Sequence, residues 1–507
     1  MALPPDNRSV VIVDAAARDN SRRVAGDRSE VTATRTAGEG NTRVAGDRSE
    51  VTATRSARED KTRVAGDRRR LGHLLRRAAF GARPAEWATY NKLGIAGTTN
   101  YLLHPETQPD HLRDLQGDIA GDYIDYEELG SLRKWWVYRM MHTSRPLEEK
   151  MVLFWHNHFA TANFKVDNPR YMWQQNELFR THALGNFRAL VKAVSRDPAM
   201  LIWLDGDQNK KGKPNENFGR ELLELFTMGI GGGYTEQDVK EAARAFTGWR
   251  FDRGEGAFTF DLKNHDDGPK TFLGETGNFN GDDLIDIVVR HPSTAKFLCT
   301  KLFRFFVHDD PTKADIEPLT KVYFSSAYDM RAVVGAILTS PAFYSDKAMF
   351  AKIKSPTEFV ITTLRTLDAP LSCAPNTGET LRSMGQELFN PPNVKGWAEG
   401  QTWVNTMSLL ARMNFAGGVI KEMQRHNLFG DKVHGALATI SARPNSPEAG
   451  VDALWELMLP GHKPSAQTRA ALVAYASDGW SPGEPRFDAK APGMLNLILS
   501  APEYQLA

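Results

Sequence analysis

The sequence predicts an all-α protein: a large multi-helix domain with at most one short β-hairpin, preceded by a disordered repeat arm. Three observations predict it. From about residue 69 onward, apolar residues recur at intervals of three and four, the spacing of a helix face. Prolines and capping residues punctuate these runs where helices would start. Alternation of apolar and polar residues, the mark of a strand, is confined to one glycine-rich stretch.

The arm, residues 1–68, comes first. "RVAGDRSEVTATR" stands at 23–35 and again, unchanged, at 43–55, and "RVAGDR" returns at 63–68, a period of twenty. Valine is the only sizeable apolar residue in the unit, so stacking it would bury too little to offset the entropy of ordering the chain. Copies this alike read as recent duplication of coding DNA rather than as a solenoid.

The helical domain, 69–507, opens with "RRLGHLLRRAAFG", which stops at Gly81. "YEELGSLRKWWVYRMMHT" (126–143) and "PLEEKMVLFWHNHFAT" (146–161) follow, the second with Pro146 at a first helical position. Thr235 in "YTEQDVKEAARAFTGW" reads as an N-cap with acidic residues in the next turn. "RFDRGEGAFTFDLKNHDDGPKTFLG" (250–274) is the glycine-rich exception, one hairpin or an irregular loop. Helices then resume, broken by "NPPNVKGWAEGQTW" (390–403) and a Pro/Gly-rich stretch near 480. "SRDPAM", "TSPAFY" and "SAPEYQ" each place a proline after an apolar helix, the pattern of a generic helix–proline corner.

Lys plus Arg is 63 against 62 Asp plus Glu, so no overall field draws the chain to nucleic acid. Cys299 and Cys373 sit in apolar helical contexts that suit buried free thiols and exclude a disulfide scaffold. No apolar run is long enough to span a bilayer. The start, as written, lacks a secretory signal, and read literally the chain is cytoplasmic. No methionine occurs between Met1 and Met140, which leaves the start codon and the compartment open.

Three polar clusters interrupt the apolar body. In "DGDQNKKGKPNE" (205–216), Asp205, Asp207, Asn209 and Glu216 occupy calcium-loop positions, but Lys210 replaces the required glycine and three lysines repel a dication. A solvated connector, with Asp205 or Asn215 capping the next helix, is the better reading. In that helix, "NENFGRELLELFTMG", Glu221 and Glu224 share a face, and Arg220 lies four before Glu224. A structural ion-pair network competes there with a metal or catalytic carboxylate. In "FWHNHFAT", His156 and His158 point in nearly opposite directions if helical and then cannot chelate one ion together. "NHDDG" places His265, Asp266 and Asp267 in a turn that side-chain caps also explain.

"HLLRRAAFGARPAEW", "PLEEKMVLFWHNHFAT", "NENFGRELLELFTMGIGGGYTEQDVKEAARAFTGW", "HDDGPKTFLGETGNFNGDDLIDIV", "KLFRFFV" and "NPPNVKGWAEGQTWVNTMSLLARMNF", taken in that order, resemble the family called domain of unknown function 1800. The resemblance runs from about Leu71 to the C-terminus and leaves the repeats outside. It implies a large helical domain of bacterial origin, often exported, whose genes neighbour those of a sulfatase-like family, domain of unknown function 1501. It carries no assigned reaction.

These readings lead to a hydrolase-like protein, metal-assisted or carboxylate-based, acting on an envelope or extracellular substrate. Glu221 is the expected general base or metal ligand, His156 or His158 the ligand or acid, and Arg220 an anion clamp. Asn215, Asn217, His265, Asp266 and Trp397 are the expected substrate contacts. A divalent metal, where used, would sit on Glu221, Glu224 and His158. No G-x-S-x-G, H-E-x-x-H or P-loop motif is present. The alternative is a non-catalytic envelope binding or assembly protein that works with the sulfatase-like neighbour. Convergence of the three clusters on one solvent-reached cavity would favour the enzyme; scattered, mutually saturated clusters would favour the alternative.

Overall fold

Proline at the first position and an acidic first turn start the helix around which the domain is built, Pro146–His158. All of its residues except Asn157 are buried. The structure, a computed structural model, describes residues 66–112, 118–119, 122–438, 444–479 and 487–507. The repeat arm lies outside the described residues up to position 65, and 66–68 already belong to the first helix, 66–79. That helix ends where Phe80 and Gly81 turn left-handed (φ 54° and 73°), and the Gly81 N–H returns to Leu75 O at 2.9 Å.

A helix buried on every side must satisfy its own charges. Glu149 receives Arg139 Nε at 2.7 Å, Arg180 Nε at 2.5 Å and Nη2 at 2.9 Å, and Trp136 Nε1 at 3.0 Å. Lys150 pairs with Glu358 on a second enclosed helix, Pro356–Thr366, all of whose residues are buried. The two helices are thereby joined through charge as well as packing.

Glu148 is the exception in this arrangement. Its Oε2 is buried without a partner, and burial, reinforced by Glu149, pushes its carboxyl up to about 7 against the pull of Arg180 and Arg145. The folded value lies above the unfolded one of about 4.3. Its contribution is therefore full below pH ~4.3 and is lost as pH rises through about 7. Glu148→Gln should raise stability at pH 8 by roughly 1–2 kcal/mol and flatten the slope between pH 4.5 and 7 in urea titrations. Equal slopes in the two proteins would contradict this.

Among the described residues the body is helical to its end, as expected, and the Pro/Gly-rich stretch near 480 lies largely outside them. The stretch expected to form one hairpin forms two, Trp249–Phe251 with Phe258–Phe260 and Lys270–Phe272 with Glu275–Gly277, and a two-residue pairing joins Asp118–Ile119 to Asp122–Tyr123. A 3-10 turn at Leu262–Asn264, capped by Asp261 on Lys263 N at 3.1 Å, separates the two hairpins. At the proline corners, Pro198 and Pro502 occupy first turns, with Asp197 capping Met200 N at 3.0 Å. The C-terminal tail is stitched to 352–354 by Ala507 N to Lys352 O and Lys354 N to Gln505 O, both 2.8 Å. Cys299 and Cys373 are buried free thiols. Among the described residues no helix is long and apolar enough to cross a membrane.

Candidate functional site

The central helix ends in His156-Asn157-His158, and each of these residues fastens a different segment. His156 faces Trp136, Phe389 and Trp397, with ring centroids 5.3–5.5 Å away in this aromatic pocket. Its Nε2 accepts the Phe389 N–H at 3.2 Å, and burial pulls the imidazole down to about 3. Asn157 Oδ1 accepts the Trp397 N–H at 2.7 Å, while its Nδ2 donates to Glu399 at 2.8 Å. His158 turns the opposite way, as helical geometry requires. Its Nε2 donates to Phe226 O at 2.9 Å. Burial, then the nearby Lys301, hold the ring well below the usual histidine range. A neutral ring with its proton on Nε2 leaves Nδ1 as an acceptor. That Nδ1 is buried and has no partner.

Phe226 belongs to a π-helical turn, Leu222–Thr227, that continues the helix Glu216–Glu221. Met228 N and Gly229 N both return to Leu223 O, at 2.9 and 3.1 Å. The wider turn changes the register, a distortion frequent at functional sites. Glu224 faces the cavity beside it, while Glu221 is not among the cavity's lining residues. Beyond the turn, Gly229 adopts φ 81°, and a Cβ there would stand 2.6 Å from the Phe297 ring. Glycine is required at that close approach.

These pieces border an open cavity of about 560 Å³ between the π-turn, the glycine loop 229–232, the helix Pro292–Phe306 and residues 394–395. His158 and Glu224 line it together with Lys296, Lys301, Arg304 and Lys395. The His158 ring and the Lys301 ammonium flank the same aromatic wall, 6.3 and 5.5 Å from the centre of Phe297. Burial pulls the Lys301 amine down to about 8, with Glu399 opposing weakly. Among the described residues none of the four cations has a carboxylate within 4.0 Å, and Glu224 has no cation within that distance.

Other expected site residues lie elsewhere. Arg220 does not pair with Glu224. It is held by Glu236 at 2.7 and 2.9 Å and by Glu216 at 3.1 Å. Glu221 is half-buried, its carboxyl raised by burial and by Glu224. Asn215 caps Asn217 N at 2.9 Å, and Asn217 reaches Asp205 at 3.4 Å. His265 Nδ1 meets Thr247 O at 2.9 Å, and Asp266, held down to about 2 by Arg244, accepts that guanidinium at 2.8 and 3.2 Å. This corner is self-satisfied and does not line the cavity. Trp397 is buried against His156.

Two of the three clusters therefore meet, through His158 and Glu224, and the third stands apart. Among the described residues no three His, Cys, Asp or Glu side chains come together to hold a metal, so Glu221, Glu224 and His158 do not form the expected ligand set. His158 spends Nε2 on a carbonyl, and Glu221 does not line the cavity that Glu224 and His158 share. The acidic residues of the calcium-like loop are taken by protein cations: Asp205 pairs with Lys165 at 3.0 Å and Asp207 with Arg253 at 3.2 Å, while Asn209 accepts Asn215 N at 2.9 Å within the loop.

The cations escaped the sequence reading, although a signal exists. Ser293, Lys296, Phe297, Thr300, Lys301 and Arg304 recur at three- and four-residue steps, marking one polar face of a single helix. Fold and cavity together define the class, a large all-α protein with a cation-lined chamber beside a π-turn. The chain belongs to the family described as Protein of unknown function (DUF1800), whose model matches residues 73–506. No curated protein and no solved structure matches it.

Proposed function

We propose that this chain is a hydrolase-like enzyme acting on an envelope or extracellular substrate, with the His158–Glu224–Lys301 cavity as its centre. What supports this is the meeting of three groups in one solvent-reached chamber: a carboxylate, a lysine of lowered pKa and an imidazole with a free acceptor nitrogen. Water attacks the electrophilic centre of the substrate and gives a proton to Glu224. The leaving alkoxide takes a proton from the Lys301 ammonium. Return of the proton from Glu224 to Lys301 resets the site. His158 Nδ1 accepts a hydrogen bond and orients water or a substrate hydroxyl. This scheme moves the base from Glu221 to Glu224 and does not depend on a three-ligand metal group.

The test is hydrolysis of chromogenic esters by the full chain. Glu224→Gln and Lys301→Met should each lower kcat by about 10²–10³-fold. Wild-type kcat should fall as pH rises through about 8, where the Lys301 acid loses its proton. Turnover that survives Glu224→Gln unchanged would overturn the scheme. Absence of turnover on every ester would favour the second reading, an envelope binding or assembly protein working with a sulfatase-like partner of domain of unknown function 1501. The observation favouring that reading is an apolar stripe on the helix Thr406–Arg425, where Met407, Leu410 and Met413 are 71, 52 and 44 % exposed.

A further inference from the structure

We infer that the cavity binds a tetrahedral oxyanion, the phosphate or sulfate group of a hydroxylated molecule such as a sugar ester; this rests on the cavity being the functional centre. Its charge is the first ground. Lys296, Lys301, Arg304 and Lys395 face one carboxylate, Glu224, in a chain whose formal net charge is only +1. Many cations elsewhere in the domain find carboxylates, as Arg220 does with Glu216 and Glu236, Arg244 with Glu241 and Asp266, and Arg188 with Asp286, while buried Arg77, Lys354 and Arg412 are met by backbone carbonyls instead. The four at the cavity pair with no carboxylate. Lys301 is half-buried against Phe297 with no carboxylate within 4.0 Å, Glu399 acting on it only from farther off, an arrangement that costs free energy unless an anion completes it.

Donor geometry is the second ground. Arg304 spends Nε on Asp309 O at 3.0 Å, and its two terminal nitrogens make no hydrogen bond within the described protein, leaving a fork suited to two oxygens of one anion. Lysines from one helix face and from the 394–395 segment approach from separate elements, which suits an anion with oxygens in several directions better than a planar carboxylate. On the remaining side the glycine loop lines the cavity, with open space at Gly231.

The acceptors are the third. His158 Nδ1 is buried and unpartnered, and Glu224 is unpaired; neither can meet an anion, but both can accept from hydroxyls. A ligand carrying hydroxyl groups beside its anionic group answers both sets. About 560 Å³ is enough for such a molecule.

Calorimetric titration of the full chain with glucose 6-phosphate, glucose 6-sulfate, inorganic phosphate, glucose and glucuronate at matched ionic strength tests this. One or both esters should bind saturably and more tightly than inorganic phosphate; glucose and glucuronate should bind at least tenfold more weakly. Which ester binds better assigns the source of the oxyanion. Lys301→Met should weaken ester binding by roughly tenfold and Arg304→Gln by about threefold. Arg304 is exposed, so its variant reports even if the Lys301 variant does not fold. No saturable ester binding, glucuronate binding as tight as the esters, or affinity untouched by Arg304→Gln would each overturn the inference. Ester hydrolysis dependent on Glu224 without oxyanion binding would remove this inference and leave the proposed function. Oxyanion binding without hydrolysis would do the reverse.

Discussion

Glu149→Ala is expected to destabilise the domain by about 3–5 kcal/mol, the effect of stripping the partner from buried charge. Arg139 and Arg180 are both buried, and both direct their guanidinium groups at this one carboxylate. Burial alone would raise the Glu149 carboxyl, but Arg180 and Arg139 outweigh it and hold the group down to about 2. Its contribution is present above the unfolded value of about 4.3 and disappears as pH falls through the folded value. Urea midpoints of wild type and variant should therefore differ widely at pH 7 and converge towards pH 2. A loss below about 1 kcal/mol at pH 7 would show that the two guanidinium groups find other partners or water.

Gly396→Ala should cost about 2–4 kcal/mol through two separate causes. Gly396 adopts φ 83°, a left-handed conformation that penalises a side chain. A Cβ there would also run into Asn157, colliding with its Oδ1 and its backbone carbonyl. Asn157 cannot move away freely, because it holds the Trp397 N–H and Glu399. The neighbouring Val394 and Lys395 line the cavity, so oxyanion binding should weaken along with the thermal midpoint. A melting temperature within a degree of wild type would mean that the turn yields more easily than its geometry states.

Local order was legible before any coordinate. Pro146 opens its helix, Thr235 caps Glu236–Ala245 in a reciprocal pair with Asp238, and the histidines two apart face opposite ways. Each follows from backbone geometry within a few residues. The glycine-rich stretch was read as strand-like, but not as two hairpins, since the Asp261 cap that separates them depends on a side chain turning back on its own loop. Glu224 and His158 stand in separate polar segments of the sequence, and only packing between those segments brings both to one cavity that Glu221 does not line.

By itself the sequence determined the helical class, the family, the caps and the segments in which polar residues gather, because periodicity and capping act over one or two turns. Tertiary structure alone decided which of those residues meet. Asn157 finds Trp397 from 240 positions away, His158 finds a carbonyl 68 residues on, and Arg220 chooses Glu236 over the nearer Glu224. Such choices are made by packing at separations of a few ångströms, and Lys301 became conspicuous only when no carboxylate arrived beside it.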